Sequence, residues 1–123
     1  MKKILIVDDS ATMLMSMEGV LLKAGYHISK AQSGEEAHNL LKGSLKPDLV
    51  ITDLHMGKMN GIDLIREIRK IVSLKFTPVL IVTTESQQEK RTEAKSAGAT
   101  GWLVKPVAPD ALVQVVRQVV PGG

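Results

Sequence analysis

The chain has 123 residues, a hydrophobic share of 44%, no cysteine and a net charge of +3 from 16 basic and 13 acidic side chains. That length fits one domain able to fold without staples, and the absence of cysteine removes disulfides, thiolate metal sites and cysteine nucleophiles together. The small basic excess is scattered, with only Tyr26, Phe76 and Trp102 as aromatics, so the stripes and stacking platforms of a nucleic-acid binder are missing.

Five short aliphatic runs alternate with longer segments of helical character. KILIV (3–7) comes first; it is too short for the apolar core of a signal peptide and ends in Asp8 and Asp9. Leu14, Met17, Leu21 and Ala24 then form one stripe of a first helix that Gly25 stops, with the methionines as core filler. HISKA (27–31) alternates, as an edge strand does. Ser33 and Glu36 have capping-box spacing for a second helix. DLVIT (48–52) runs into Asp53, and Asn60 can cap a third helix that begins IDLIREI. PVLIV (78–82) ends at Thr83, and Ser86 with Glu89 repeats the capping-box spacing for a fourth helix over about 87–97, stopped by Gly98.

In QQEKRTEAKSA only Ala94 and Ala97 suit a core, so the fourth helix is either a solvated surface element or a weakly anchored one that moves or meets a partner. TGWLV (100–104) leads into Lys105-Pro106, and Pro109 opens a last helix, ALVQVVRQVV, with apolar residues on more than one side and so some exposed apolar surface. The ending Pro121-Gly122-Gly123 leaves no room for a second domain, so one domain over 1–123 is expected. Four of the five runs are near-continuously apolar, as strands covered on both faces are, and each is followed by helical sequence. The pattern is that of an α/β domain with a doubly wound parallel sheet. No apolar run approaches the roughly 18 residues of a membrane span, so a cytoplasmic location is expected, with neither membrane nor nucleic acid as partner.

Polar residues stand at the C-terminal ends of four strands: Asp8 and Asp9, Asp53, Thr83, and Lys105-Pro106. In a doubly wound sheet these ends share one edge, where ligands bind. Three carboxylates crowded there repel; each pair some 4 Å apart costs on the order of 4 kcal/mol at an effective dielectric near 20. Lys105 offsets part of this and a divalent ion the rest. Oxygen-only ligands favour Mg²⁺ over zinc, and His27, His38 and His55 have no ligand spacing. Neither GxGxxG nor GxxxxGK[ST] occurs. A metal, a spare carboxylate, a hydroxyl and an ammonium are the parts for phosphoryl transfer to an aspartate. At a strand spacing of about 4.8 Å, Thr83 on a neighbouring strand reaches the phosphoryl group, and from one strand further only a side chain as long as Lys105 does.

The motifs LIVDDS, DLVITDLHMGKMNG, TTES and GATGWLVKP, in order along the whole chain, resemble those of bacterial response-regulator receiver domains, close to the stand-alone CheY-type chemotaxis regulators. The resemblance implies a flavodoxin-like fold: a five-stranded parallel sheet in order 2-1-3-4-5 with five flanking helices. It implies Asp53 as phosphoacceptor, Mg²⁺ held by Asp8, Asp9, Asp53 and the His55 backbone carbonyl, and a cis Lys105–Pro106 bond. Thr83, Lys105 and Trp102 match the phosphate-sensing and switch positions, and His55 and Glu85 the positions that tune dephosphorylation. A histidine kinase would supply phosphoryl groups, with a flagellar motor switch protein and a phosphatase as further partners. The output surface would be the fourth helix, fifth strand and fifth helix of a monomer.

Trp102 stands where such proteins usually have Tyr or Phe, and is either a packed edge residue or the switch aromatic. Gly57 replaces a common proline, and Val107 a frequent Phe. The reading is a phosphorylation-activated signalling switch, not an enzyme beyond its own phosphorylation and dephosphorylation. A phosphorelay intermediate or phosphate sink is the alternative. A Mg²⁺-dependent aspartyl-phosphate hydrolase is more remote, because Leu54 and His55 follow Asp53 where an Asp-x-Asp motif needs a second acid.

Overall fold

The computed structural model describes residues 1–120; the ending Pro121-Gly122-Gly123 lies outside the described residues. Strands and helices alternate in chain order: β1 (Lys3–Val7), α1 (Ala11–Lys23), β2 (His27–Ala31), α2 (Gly34–Lys42), β3 (Leu49–Thr52), α3 (Gly61–Lys70), β4 (Val79–Thr83), α4 (Gln88–Ala97), β5 (Gly101–Val104) and α5 (Pro109–Val119). A 3-10 turn, Val72–Leu74, follows α3. All strands are parallel, in the order β2-β1-β3-β4-β5. This is the flavodoxin-like arrangement expected, and among the described residues no helix is long and apolar enough to cross a membrane.

Side chains alternate across the central strands and so build two cores. Leu5, Val7, Val50, Val79 and Ile81 face α2, α3 and α4, whereas Ile4, Ile6, Leu49, Ile51, Leu80 and Val82 face α1 and α5. Because β1, β3 and β4 are covered on both sides, every residue from Leu49 to Thr52 and from Val79 to Thr83 is buried. β2 is the expected edge. β5 is the other edge, with Trp102 and Leu103 half-buried and Val104 exposed, and so departs from the fully covered strand its apolar run suggests. The valines of α5 leave some apolar surface, as expected. Val116 is buried and Val113, Val115 and Val119 are partly covered, the last two packing on the α1–α5 core.

The helix ends show which local signals prevailed. Ser10 caps α1 by accepting from the Met13 N–H, and Ser33 caps α2 by accepting from that of Glu36. Asn60 and Asp63 close a full capping box at α3. The box expected from Ser86 and Glu89 does not form. α4 begins at Gln88 behind Gln87, which has no side-chain cap, because the Glu85 carboxylate takes the Gln87 N–H at 3.2 Å and moves the helix start along the chain. Gly25 and Gly98 end α1 and α4 with φ of 100° and 111°, a region that disfavours any side chain.

Tyr26 is buried in the α1–α5 core, and its hydroxyl has no hydrogen-bond partner among the described residues. An unsatisfied buried hydroxyl costs about 1–3 kcal/mol. Tyr26→Phe is therefore expected to raise stability by about 1 kcal/mol, seen as a higher urea midpoint at unchanged slope. A lower midpoint would mean that the hydroxyl is bonded after all.

Candidate functional site

β1 and β3 lie side by side in register, Val7 opposite Thr52, so the residues that follow them, Asp8 and Asp53, emerge next to each other. The backbone holds both acids at the end of the ladder, through Asp8 N–H to the Ala31 carbonyl (3.1 Å) and Asp53 N–H to that of Val7 (2.9 Å). Asp9 completes a triad in which one carboxylate oxygen from each residue lies within 4.8 Å of the others. Burial differs among the three: Asp8 is buried, Asp53 half-buried and Asp9 exposed.

A buried carboxylate needs partners. Asp8 accepts from the Ser10 N–H (2.9 Å) and from Lys105 Nζ (2.8 Å). Asp53 accepts from the Leu54 N–H (2.7 Å) and from the same Nζ at 3.3 Å. Lys105 follows β5, where its N–H donates to the Thr83 carbonyl at 2.8 Å, and its side chain crosses β4 to reach the acids. Burial alone would lower the Lys105 pKa. The hydrogen bond to Asp8 and the charges of Asp53 and Asp8 outweigh it and hold the ammonium above its ordinary value. The Lys105–Pro106 peptide is cis.

One ammonium facing three carboxylates leaves the cluster negative. The donors that remain are carboxylate oxygens only, with no thiolate and no imidazole among them. That donor chemistry fits a hard divalent cation such as Mg²⁺.

A second group lies beside this one. Thr83, buried at the end of β4, accepts from the Glu85 N–H (3.3 Å), which leaves the hydroxyl proton for another acceptor. The Glu85 carboxylate meets His55 Nε2 at 3.2 Å as well as the Gln87 N–H, and its carbonyl accepts from Trp102 Nε1 at 3.1 Å. The Gln87 N–H, and then His55, hold the Glu85 carboxyl below the ordinary range. Glu85 thus joins the β3 loop, the Thr83 hydroxyl, the start of α4 and the half-buried indole of β5. Asp8, Asp9, Asp53 and Lys105 form one cluster. Thr83, His55, Glu85 and Trp102 form a chain of contacts next to it, with the His55 side chain exposed.

One requirement of the site escaped the sequence analysis. A Cβ on Gly61, the first residue of α3, would lie 2.4 Å from the Asp53 carbonyl oxygen, and the Gly61 N–H donates to the Leu54 carbonyl at 2.8 Å. Only glycine lets α3 start so close beneath Asp53. The available signal was a glycine directly after the helix cap Asn60.

The family model "Response regulator receiver domain" matches residues 4–117. The chain belongs to the response regulator receiver domain family. The chemotaxis protein CheY of Thermotoga maritima is 40% identical to this receiver domain over 119 residues, 96% of this chain and 97% of that one. Protein PilH of Pseudomonas aeruginosa is 35% identical over 122 residues, 99% and 100% of the two chains. Among solved structures, that of the Vibrio cholerae chemotaxis protein CheY4 matches with a TM-score of 0.92 at 39% identity, covering 97% of this chain and 98% of that one. The receiver domain is thus of the CheY type and a signalling protein.

Gly61→Ala tests the close packing beneath the site. The extra methyl has only backbone to push against, so stability should fall by about 1–3 kcal/mol, as measured by urea unfolding, with the Asp53 amide resonance displaced. An unchanged midpoint and spectrum would show that α3 adjusts freely.

Proposed function

We propose that this receiver domain, read over 1–123, is a cytoplasmic, monomeric, phosphorylation-activated switch of a two-component system, and that it serves chemotaxis. The observation that carries the proposal is the single Lys105 ammonium bridging Asp8 and Asp53, with Asp8 buried and the Asp53 side chain still 13% exposed. Asp8 is a fixed charge, and Asp53 is the carboxylate an incoming phosphoryl group reaches. The full-length similarity to CheY proteins supports the chemotactic role.

In this mechanism an Asp53 carboxylate oxygen attacks the phosphorus of a phosphohistidine on a histidine kinase, and the imidazole leaves with its electron pair. The Leu54 N–H on Oδ1 orients the carboxylate. Lys105 Nζ, at 3.3 Å from Asp53 Oδ2, neutralises charge that the phosphoryl oxygens bring. The Thr83 hydroxyl donates a hydrogen bond to one of those oxygens, and its shift pulls on the Glu85 N–H. Asp8, Asp9, Asp53 and the His55 backbone carbonyl would hold Mg²⁺, which supplies further positive charge at the phosphoryl group. His55 and Glu85, paired at 3.2 Å, stand beside Asp53 and tune how readily water hydrolyses the acyl phosphate. The only chemistry assigned is the domain's own phosphorylation and dephosphorylation. Movement of Trp102 and α4 then alters the α4–β5–α5 face, with a flagellar motor switch protein and a phosphatase as candidate partners beside the kinase.

Intact-protein mass after incubation with acetyl phosphate tests this. A single phosphoryl adduct is expected that requires both Mg²⁺ and Asp53, and is absent from Asp53→Asn. An adduct that forms equally in Asp53→Asn would overturn the assignment.

A further inference from the structure

The Arg69 guanidinium near the end of α3 donates to four main-chain carbonyls from two separate parts of the chain. Its Nη1 reaches Leu74 (3.1 Å), Lys75 (3.3 Å) and Thr77 (2.7 Å), and its Nη2 reaches Gly98 (2.8 Å), the residue that ends α4. Burial lowers the Arg69 pKa, yet a guanidinium stays charged, and no carboxylate pairs with it among the described residues. Its charge is spent wholly on fixing backbone. Gly98 is fitted to it twice over. Its φ of 111° disfavours a side chain, and a Cβ there would lie 2.8 Å from Arg69 Nε.

The rest of α4 is loosely held. Ala94 is its one buried residue and lies near the same end. The exposed Arg66–Glu93 pair at 3.3 Å adds little. A cleft of about 630 Å³ runs along the helix beside β5, lined by Gln88, Arg91 and Thr92 towards one end, by Lys95 and Thr100 towards the other, and by Trp102. The N-terminal end has no side-chain cap, and among the described residues its Gln87 N–H is tied by a hydrogen bond to Glu85, whose other bonds go to Thr83, His55 and Trp102. One end of α4 is therefore fastened by bonds that do not involve the phosphorylation site, and the other by bonds that do.

We propose that Arg69 is the positioning residue that makes α4 a lever: it pins the Gly98 end, so that a shift of Thr83 and Glu85 moves the Gln88 end over the cleft beside Trp102. This role rests on Asp53 accepting a phosphoryl group. When Thr83 turns to the phosphoryl oxygen, the Glu85 N–H loses its acceptor, and the strain enters α4 where it is weakest. Without Arg69 the helix would shift as a body, and less of the change would reach the face beside Trp102.

Amide hydrogen exchange along α4, with and without beryllofluoride as phosphoryl stand-in and Mg²⁺ present, tests this in wild type, Arg69→Lys and Arg69→Gln. In wild type, exchange at 88–91 should change by about fivefold or more and at 94–98 by less than about twofold. In Arg69→Gln exchange at 94–98 should already be faster before beryllofluoride is added, and the gradient should vanish; Arg69→Lys, with one donor head in place of a fork, should fall between. Trp102 is the only tryptophan, so its emission reports the same step, and its response should shrink in Arg69→Gln. A uniform change along wild-type α4 would overturn the lever, and that arm stands even if a variant fails to fold. A gradient and emission response that persist in Arg69→Gln would overturn the role of Arg69. Failure of Asp53 itself as acceptor is read separately, as a missing phosphoryl adduct by mass.

Discussion

The carboxyl edge of this sheet is held together by one ammonium. Asp8 is buried with its charge, Asp53 lies beside it and Asp9 just outside, an arrangement that repels itself unless a cation stands among the three. Lys105 fills that place at 2.8 Å and 3.3 Å from two of them. It can do so only because β5 ends two strands away from β3, which is the reach of a lysine and of no shorter cation. Strand order and site chemistry are thus one constraint. A sheet with β5 elsewhere would leave the acids uncompensated, and acids without the lysine would disfavour the close pairing of β1 and β3 ends.

From that edge outward the structure loosens in steps. β3 and β4 are buried throughout, β5 is half-covered, and α4 rests on one buried alanine. Regions of low local stability are where a small input produces movement. Glu85 lies at the border between the rigid and loose parts, with hydrogen bonds to Thr83, Gln87 and Trp102 and its pairing with His55. Arg69 limits the looseness from the far side by fixing the end of α4 to the segment that leads into β4.

What the sequence made legible was whatever depends on neighbours along the chain or on strand ends as a class. The runs at 3–7 and 27–31 coincide with β1 and β2, and Asp8, Asp9, Asp53 and Lys105 were found together because each ends or follows a strand. Asn60 as a cap was read correctly, for it needs only the three residues that follow. The span of α4 was legible but its cap was misread, because Ser86 loses to Glu85, whose place depends on His55 after β3 and Trp102 on β5. β5 looked as covered as β3, since its composition does not say that no strand lies beyond it. Arg69 passed as an ordinary basic residue at a helix end. Its acceptors lie 5 to 29 residues away as backbone carbonyls, which no side-chain pattern records.

The central claim is that Lys105 and a divalent cation share the task of neutralising Asp8, Asp9 and Asp53. Calorimetric titration of Mg²⁺ into wild type and Lys105→Met at one ionic strength tests it most directly. If the ammonium and the metal offset the same charge, the variant binds Mg²⁺ more tightly, by about tenfold or more, since a unit charge some 3–4 Å away at a half-buried site is worth at least about 1.4 kcal/mol. Equal or weaker binding in a folded Lys105→Met protein would contradict the account, for the lysine would then not stand in the field that the metal feels.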